Sequence, residues 1–394
     1  MVVAISFLLA YTTSLSQNDP QLKSLDEDLN SYFKEVIETQ KYVALGACII
    51  KNDEVIWKGS YGYSDLENKK LLKADDIIQI ASLSKTVTAA ALMTLYDKGL
   101  FKLDDDINDY IPIKVRNPNF PEKPITFRML LTHTSSLEDV LSNGLKVPKG
   151  VERPHGVSGD PDISLNDFIK ELFVPGGKYY SIEYFSTEEP GTKYSYSNFS
   201  FALIGYLVEH ISKKDFSEYC KENIFIPLGM KDTGWMLRDV DTNRVIFGYG
   251  SLTNDNIIAY KKVKPFGVPD YPSGNLRTTL DDFAKFLSAF MNKGIYNNYQ
   301  LLKPETVELM LAPQGIKNIP SRSFPILDIG LTWLLNDIEG TTLYNMNGFS
   351  GSGFTNAYFS PKEKIGILYF FTGLTMKNMM GMLDITLKLY HSVK

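Results

Sequence analysis

Apolar residues recur at helical spacing early in the chain and are followed by two β-rich runs. Between residues 21 and 41 the apolar positions lie on one side of a helical pattern, which predicts an amphipathic helix. The runs 43–50 and 55–63 are rich in β-branched and aromatic residues and flank the polar segment 51–54. This arrangement predicts a β-hairpin directly after the first helix.

Helices dominate the predicted middle of the chain, and strands return at its end. Helical spacing predicts one helix from residue 82 to about 98 and another that starts at residue 125. Further helices are predicted at 165–173, 197–212, 279–292 and 304–311. Strands are predicted at 330–336, 341–346, 354–359 and 365–371, before a closing helix at 376–394. The predicted fold class is therefore α+β. An antiparallel sheet, built from both chain ends and flanked by helices, carries an inserted helical lobe.

We expect one domain over residues 21–394. Its α/β lobe would comprise about 21–80 and 325–394, and its helical lobe about 81–324. The Gly-, Pro- and Asp-rich segment 138–189 is expected to border the cleft between these lobes.

One short stretch combines a helix start with a nucleophile and a base. Ser82 and Lys85 are three residues apart, and residues at this spacing lie on one face of a helix. The amine of Lys85 can then reach the hydroxyl of Ser82, which is a weak nucleophile until a base activates it. The same pattern at Ser31 and Lys34 falls within the first amphipathic helix, where we interpret it as an exposed helix face. The four-residue pattern alone is therefore a weak signal.

A second polar cluster lies where a turn leads into the helix at 197–212. Tyr196 and Asn198 are two residues apart at this junction, so both side chains can point into a cleft. The phenol could take or relay a proton if a nearby ammonium lowers its pKa. Asn198 could donate to a substrate carbonyl or hold Lys85. A buried tyrosine and a helix-capping asparagine are the ordinary alternative.

Together these residues resemble the serine β-lactamase and penicillin-binding-protein superfamily, in its class C-like branch. That branch also contains D-alanyl peptidases, D-aminopeptidases and esterases. The resemblance covers nearly everything from 43 to 374, including the segments 103–112, 125–135, 226–230, 272–276 and 330–333. It implies that Ser82 attacks a carbonyl and becomes acylated, and that Asn198 contacts the substrate amide or the Lys85 ammonium. Lys85 and Tyr196 would share the proton transfers, with the acylation base left open between them.

The third motif of the superfamily, usually Lys-Thr-Gly or His-x-Gly, is altered in this chain. Its best match is Met346-Asn347-Gly348, followed by Phe349, on a strand expected to face Ser82. The resemblance implies an oxyanion hole formed by the main-chain N–H groups of Ser82 and Phe349. Met346 occupies the position at which the superfamily has the cation that binds a substrate carboxylate. If the motif began at Asn347 instead, Phe349 would stand at the position of the motif's glycine.

The missing cation changes the expected substrate. Methionine cannot attract a carboxylate, so a charge-assisted contact of ~1.5–3 kcal/mol is lost. The nucleophile, the base and the oxyanion hole do not depend on that contact. The sequence therefore favours esters, lactones or amides without a free carboxylate.

Composition excludes several other classes of function. A net charge of −5 and a pI near 5.6 argue against nucleic-acid binding, which requires a basic surface. The two cysteines, Cys48 and Cys220, and the four histidines show no metal-binding or redox spacing, so we expect no metal and no organic cofactor. His133 lies in one of the resembling segments and is interpreted as a structural histidine.

The first ten residues are apolar and resemble the hydrophobic part of a secretory signal. No Lys or Arg precedes them, and no clear cleavage site follows. Residues 1–20 are a possible signal or leader. With such a segment the protein would be secreted or periplasmic, and without it the protein would be cytoplasmic. No later run approaches the ~20 apolar residues that a membrane helix needs.

Three functions remain open at this point. The first is a serine hydrolase that acts on ester or amide substrates through an acyl-enzyme on Ser82. The second is a β-lactamase or D-alanyl-D-alanine carboxypeptidase. The third is a catalytically degenerate binding or assembly protein, which Met346 keeps open, as do Asn275 and Ser136 where the superfamily more often has glycine. The expected partner is a small-molecule or peptide-like substrate, and the oligomeric state is not predicted.

Overall fold

The computed structural model describes residues 20–139, 156–254, 257–321, 324–350, 352–375 and 381–394. The possible leader lies outside these ranges except for Pro20, as do residues 140–155 of the segment expected to border the cleft and residues 376–380 of the closing helix. No helix in the described ranges combines the length and apolarity needed to cross a bilayer.

Helices and strands alternate in the order that the sequence predicts for most of the chain. The helices are α1 Pro20–Gln40, α2 Ser84–Asp97, α3 Phe127–Leu131, α4 Leu165–Phe173, α5 Asn198–Ser212, α6 Phe216–Cys220, α7 Leu280–Met291, α8 Pro304–Leu311 and α9 Met382–His391. The strands are β1 Ala44–Lys51, β2 Glu54–Asp65, β3 Lys70–Leu71, β4 Ile78–Gln79, β5 Val157–Ser158, β6 Gly248–Asn254, β7 Ile257–Val263, β8 Phe266–Gly267, β9 Arg277–Thr278, β10 Ile295–Tyr296, β11 Tyr299–Gln300, β12 Ile326–Ile329, β13 Leu334–Ile338, β14 Thr341–Ser350, β15 Gly353–Ser360 and β16 Ile365–Thr372.

The two ends of the chain build one antiparallel sheet. Within the described residues it has eight strands in the order β12-β13-β14-β15-β16-β1-β2-β3. The ends meet where β1 pairs with β16, with Ala44 opposite Thr372 and Lys51 opposite Ile365. This topology confirms the predicted α+β class, with a sheet from both chain ends flanked by helices. The division into two lobes stays a prediction.

One predicted strand is wrong, and one pair of strands was not predicted. Residues 330–336 are not one strand, because β12 ends at Ile329 and β13 begins only at Leu334. The turn between them holds Thr332 at a φ of 87°, which a continuous strand cannot accommodate. The middle of the chain also contains the antiparallel pair of β6 and β7, whose sequence signal is the polar segment 254–256 between two β-rich runs.

The sheet has a hydrophobic core on each face. On one face α1 packs against β2 through Phe33, whose ring stacks on Trp57 and Tyr61 at centroid distances of 5.4 and 5.6 Å. On the other face α2 packs against α5, and the 3₁₀ turn that precedes α2 packs against β14 and β15. Ser82 therefore lies where the helices meet the sheet.

Replacing Phe33 with Ala is expected to destabilise the protein by about 3–5 kcal/mol, because the ring is fully buried and its two stacking partners lose their contacts. Urea unfolding followed by tryptophan fluorescence measures the change. Glu38→Ala, on the exposed side of the same helix, is the matched control and should stay within about 0.5 kcal/mol of the native chain. Equal stability of Phe33→Ala and Glu38→Ala would show that α1 does not contribute to the core.

Candidate active site

Ser82 occupies the 3₁₀ turn Ala81–Leu83, which leads directly into α2. Two hydrogen bonds from different segments hold Ile80, the residue directly before this turn. Ile80 N–H donates to Leu276 O at 2.9 Å, and Thr355 Oγ1 donates to Ile80 O at 2.7 Å. The position of Ser82 is therefore set by β15 and by the segment that precedes β9.

Two groups from different parts of the chain reach the Ser82 hydroxyl. Lys85 Nζ lies 3.2 Å from Ser82 Oγ, and the Tyr196 hydroxyl donates to the same oxygen at 2.6 Å. Tyr196 directly precedes Ser197, whose side chain caps α5 by accepting from Ser200 N–H. The structure thus brings together the three residues that the sequence analysis selected as catalytic candidates.

Lys85 is fully buried, and its amine has two close partners besides Ser82. Nζ donates to Asn198 Oδ1 at 2.6 Å and to the main-chain carbonyl of Ser273 at 2.6 Å. Both partners are carbonyl oxygens, which can only accept. A neutral amine can use its two N–H groups for these carbonyls and direct its lone pair at Ser82 Oγ. Of the two roles weighed for Asn198, this geometry favours holding Lys85.

Burial lowers the pKa of Lys85 to about 7, and the carboxylates of Asp270 and Asp139 oppose that shift. Sequence analysis missed both acids, because neither lies at a motif position. Asp270 accepts from Ser273 Oγ at 2.7 Å, and burial raises the pKa of its carboxyl group. Asp139 accepts from the main-chain N–H of Asn198 at 3.1 Å. The only sequence hint was that each acid lies close to a segment that resembles the superfamily.

Burial raises the pKa of Tyr196 well above its ordinary value, and the hydrogen bond to Ser82 opposes this shift only in part. Lys85 Nζ lies 4.9 Å from the centre of the Tyr196 ring. The condition under which this phenol could accept a proton, a pKa lowered by a nearby ammonium, is therefore not met. The Tyr196 hydroxyl donates to Ser82 Oγ, and of these two groups only Lys85 has a pKa near 7.

His133 holds the loop that carries Tyr196. Its buried ring lies 4.6 Å from the Tyr196 ring, between centroids, and its Nδ1 accepts from Ser197 N–H at 3.1 Å. Its main-chain carbonyl accepts from Ser195 N–H at 2.8 Å. Burial lowers the pKa of His133 well below its ordinary value, so the ring is neutral. These contacts fit the interpretation of His133 as a structural residue.

β14 brings the altered third motif to Ser82. A Cβ at Gly348 would collide with Ile80 O and lie 3.0 Å from Ser82 N, so only glycine fits there. This close approach supports the register that begins at Met346. Met346, two residues earlier on the same face of the strand, is 4% exposed, whereas Phe349 is 50% exposed.

A cleft of about 470 Å³ opens beside Ser82. Tyr196 and Asn198 lie on the nucleophile's side, and Met346 and Phe349 contribute from β14. An apolar cluster, which we call the isoleucine wall, contributes further lining residues: Ile319, Ile329, Leu334 and Tyr194. No Lys, Arg, Asp or Glu occurs among the described residues that line the cleft.

The two residues that replace expected glycines are accommodated without disturbing the site. Asn275 is fully buried, donates to Trp235 O at 2.8 Å and accepts from Gln79 Nε2 at 3.0 Å. Ser136 adopts a φ of 59°, and its Oγ accepts from Asn117 Nδ2 at 3.0 Å. Neither replacement is therefore evidence of a collapsed site.

A family model described as Beta-lactamase matches residues 29–386. The chain belongs to the beta-lactamase family. It is thereby a member of the serine β-lactamase and penicillin-binding-protein superfamily, a superfamily of serine hydrolases, as the sequence motifs predicted.

Curated relatives are similar over most of this chain but are longer proteins. Beta-lactamase-like protein 2 of Dictyostelium discoideum is 28% identical over 316 residues, which cover 77% of this chain and 52% of that protein. Penicillin-binding protein 4* of Bacillus subtilis strain 168 is 27% identical over 199 residues, covering 50% of this chain and 39% of that protein. The chain spans about half the length of the curated relatives it matches.

Several solved structures share the fold over nearly the whole chain. The Yersinia pestis beta-lactamase/D-alanine carboxypeptidase has a TM-score of 0.71 and 22% identity, covering 94% of this chain and 99% of that one. The D-amino acid amidase of Ochrobactrum anthropi SV3 has a TM-score of 0.70 and 20% identity, with coverage of 93% and 99%. The octameric penicillin-binding protein homologue of Pyrococcus abyssi has a TM-score of 0.70 and 22% identity, with coverage of 92% and 77%. These likenesses confirm the predicted β-lactamase/transpeptidase-like architecture.

Lys85 is expected to titrate near pH 7 in the folded protein, far below the ordinary lysine value of about 10.4, because burial disfavours its charged form. The chemical shift of its ¹³C-labelled Cε, followed by NMR as a function of pH, measures this midpoint. Lys85→Met assigns the resonance by removing it. A midpoint near 10 would contradict the structure's account of this amine.

Proposed function

We propose that the protein is a serine hydrolase that cleaves ester or amide bonds of uncharged substrates through an acyl-enzyme on Ser82. The observation that carries this proposal is the pair of hydrogen bonds on Ser82 Oγ. One partner is a buried amine with a pKa of about 7, and the other is a neutral phenol. A serine hydroxyl needs both a proton acceptor for attack and a donor for expulsion of the leaving group.

In the proposed first half of the reaction, Ser82 Oγ attacks the substrate carbonyl carbon and its proton passes to Lys85 Nζ. The main-chain N–H groups of Ser82 and Phe349 would stabilise the resulting oxyanion. Gly348 permits this arrangement, because any side chain there would push β14 away from the turn that carries Ser82.

Collapse of the tetrahedral intermediate requires a proton for the leaving oxygen or nitrogen. Tyr196 would donate it, and the Lys85 ammonium, whose Nζ lies within 5 Å of the Tyr196 ring centre, would restore it. Water then attacks the Ser82 ester with the same groups acting in reverse. Asn198 and the carbonyl of Ser273 keep the lysine in place throughout.

The lining of the cleft supports substrates without a charge. Met346 holds the position from which family members read a carboxylate, and no charged side chain occurs among the described lining residues. An ionised group entering this cleft would lose its hydration without gaining a counter-charge. The apolar isoleucine wall offers a surface for an acyl or alkyl group instead.

A β-lactamase or D-alanyl-D-alanine carboxypeptidase activity is the second candidate. Two similar proteins favour it, penicillin-binding protein 4* of Bacillus subtilis and the beta-lactamase/D-alanine carboxypeptidase of Yersinia pestis. Met346 counts against it, because the substrates of both activities carry a carboxylate. The complete hydrogen-bonded set around Ser82 counts against a catalytically degenerate protein.

A fluorophosphonate probe is expected to label Ser82, and p-nitrophenyl esters of graded chain length should be hydrolysed. The rates should rise with pH through a midpoint of about 7, because only the deprotonated Lys85 can accept the serine proton. Ser82→Ala should abolish both activities, and Lys85→Met should slow them about 100-fold or more. A fluorescent penicillin and nitrocefin run in parallel test the second candidate.

Ser31→Ala is the matched control, because it alters the same four-residue pattern on the exposed face of α1. It should leave labelling and turnover unchanged. If no substrate or probe reacted in a Ser82-dependent way, the enzyme proposal would fail. Rapid turnover of nitrocefin with none of the esters would favour the second candidate.

Met346→Lys is expected to increase acylation of Ser82 by penicillins about tenfold or more, because an ammonium at this position would gain a charge-assisted hydrogen bond to the substrate carboxylate. Stopped-flow or gel-based measurement of penicillin acylation gives the rate. Met346→Leu keeps the position neutral and should show no gain. A Met346→Lys protein that still hydrolyses esters but gains nothing with penicillin would argue against the assigned register.

A further inference from the structure

Two side chains of β14, Asn347 and Phe349, alternate along the strand with the residues that face Ser82. Phe349 lies opposite Phe354 of β15, and Phe354 belongs to the same hydrophobic core as Phe33 of α1. Directly opposite residues of an antiparallel pair share one face of the sheet. Asn347 and Phe349 therefore lie on the face that packs against α1, and Ser82 lies on the other.

Both side chains nevertheless line the same cleft as Ser82. The pairing of β13 with β14 ends where Leu334 lies opposite Asn345. Residues 346–350 therefore form a free edge, with no strand beside them on that side within the described ranges. The cleft passes across this edge, so a substrate bound at Ser82 can extend from one face of the sheet to the other.

The side-chain amide of Asn347 is open to a ligand. It is partly exposed and has no hydrogen-bond partner in the described part of the chain. Its neighbours on the same face are already paired, because Asn345 Nδ2 donates to Asn356 Oδ1 at 2.6 Å and Asn356 Nδ2 donates to the Tyr369 hydroxyl at 2.9 Å. The Asn347 amide therefore keeps both its donor and its acceptor for a group that enters the cleft.

Phe349 places an aromatic ring beside this amide. Its side chain is 50% exposed, and no other Phe, Tyr or Trp in the described ranges is as exposed. Residues two apart on one strand are separated by roughly 7 Å, so the ring and the amide can contact adjacent groups of one ligand. Ligand clefts commonly combine aromatic surface with a few polar groups that fix the orientation of the ligand.

We propose that the side chains of Asn347 and Phe349 form a subsite that binds a neutral amide with an attached apolar group. The Asn347 carboxamide can accept from the amide N–H or donate to its carbonyl oxygen. The Phe349 ring would cover the attached aryl or alkyl group. The substrate class is an ester or amide that carries an acylamino group and crosses the edge of β14. This inference rests on the proposed hydrolase function for its substrate.

Four p-nitrophenyl esters test the subsite. Their acyl groups are 3-benzamidopropionyl, the ring-free 3-acetamidopropionyl, and the two chains in which CH₂ replaces N–H, 5-oxo-5-phenylpentanoyl and 5-oxohexanoyl. A second set places the same groups in the alcohol portion of acetate esters, as 2-benzamidoethyl, 2-acetamidoethyl, 4-oxo-4-phenylbutyl and 4-oxopentyl, with hydrolysis followed by acid release. In at least one set the native protein should prefer the ring about fivefold or more in kcat/KM, and the N–H about threefold or more.

Phe349→Ala should bring the ring preference close to one, whereas Phe349→Tyr should keep it. Asn347→Leu removes the amide at similar size and should remove the N–H preference. Each preference is a ratio measured within one variant, so any effect of the substitution on the oxyanion hole cancels. Leu327→Ala is the matched control and should keep both preferences, because Leu327 is 57% exposed on another edge strand of the same sheet and is not among the residues that line the cleft.

Ratios near one for the native protein in both sets would overturn the subsite while leaving the hydrolase function intact. That measurement needs no variant, so it decides even if a substituted chain fails to fold. A ring preference that survives in Phe349→Ala would also overturn it. Binding of the methyl esters of the four acyl groups, and of the four acetates, to Ser82→Ala, followed by ligand-observed NMR, tests the subsite without turnover. A preference for the benzamido members there, with no esterase activity in the native protein, would retain the subsite and reject the proposed function.

Discussion

The complete burial of the Lys85 amine is the constraint on which the site depends. Removal from water makes a free amine available near neutral pH, and it also requires that every N–H of that amine find an acceptor. Asn198 and the carbonyl of Ser273 meet this requirement from two separate segments. The packing of α2 against α5 is therefore a condition for the chemistry at Ser82 as well as for the core.

Sequence analysis predicted those parts of the site that follow from local periodicity. The spacing of Ser82 and Lys85 places both on one helical turn, and the polar turn before α5 places Tyr196 beside Asn198. The β-rich runs at both chain ends predicted one antiparallel sheet, but not its edge strands β3 and β12. Asp139 and Asp270 could not be predicted, because their influence on Lys85 arises from tertiary contacts between segments that show no shared pattern.

The turn at 330–333 shows a second limit of periodicity. Leu331 and Trp333 are apolar and the turn is flanked by β-rich sequence, so it resembles the start of a strand, but the backbone at Thr332 turns into the left-handed region. The energy for this conformation comes from packing around the turn, which a local pattern does not contain. Thr332 is 1% exposed and is one of the residues that line the cleft.

The lowered pKa of Lys85 and the absence of Lys, Arg, Asp and Glu among the described residues that line the cleft are physically linked. An ammonium at position 346 would lower the pKa of Lys85 further by charge repulsion. A site with such a carboxylate-binding cation would therefore have two causes for a lowered lysine pKa, burial and repulsion. Here burial acts alone and against the attraction of Asp139 and Asp270. The free base therefore depends on excluding water from the region around Lys85. An uncharged substrate that fills the cleft preserves that exclusion, whereas an ionised one would bring water or a counter-ion with it.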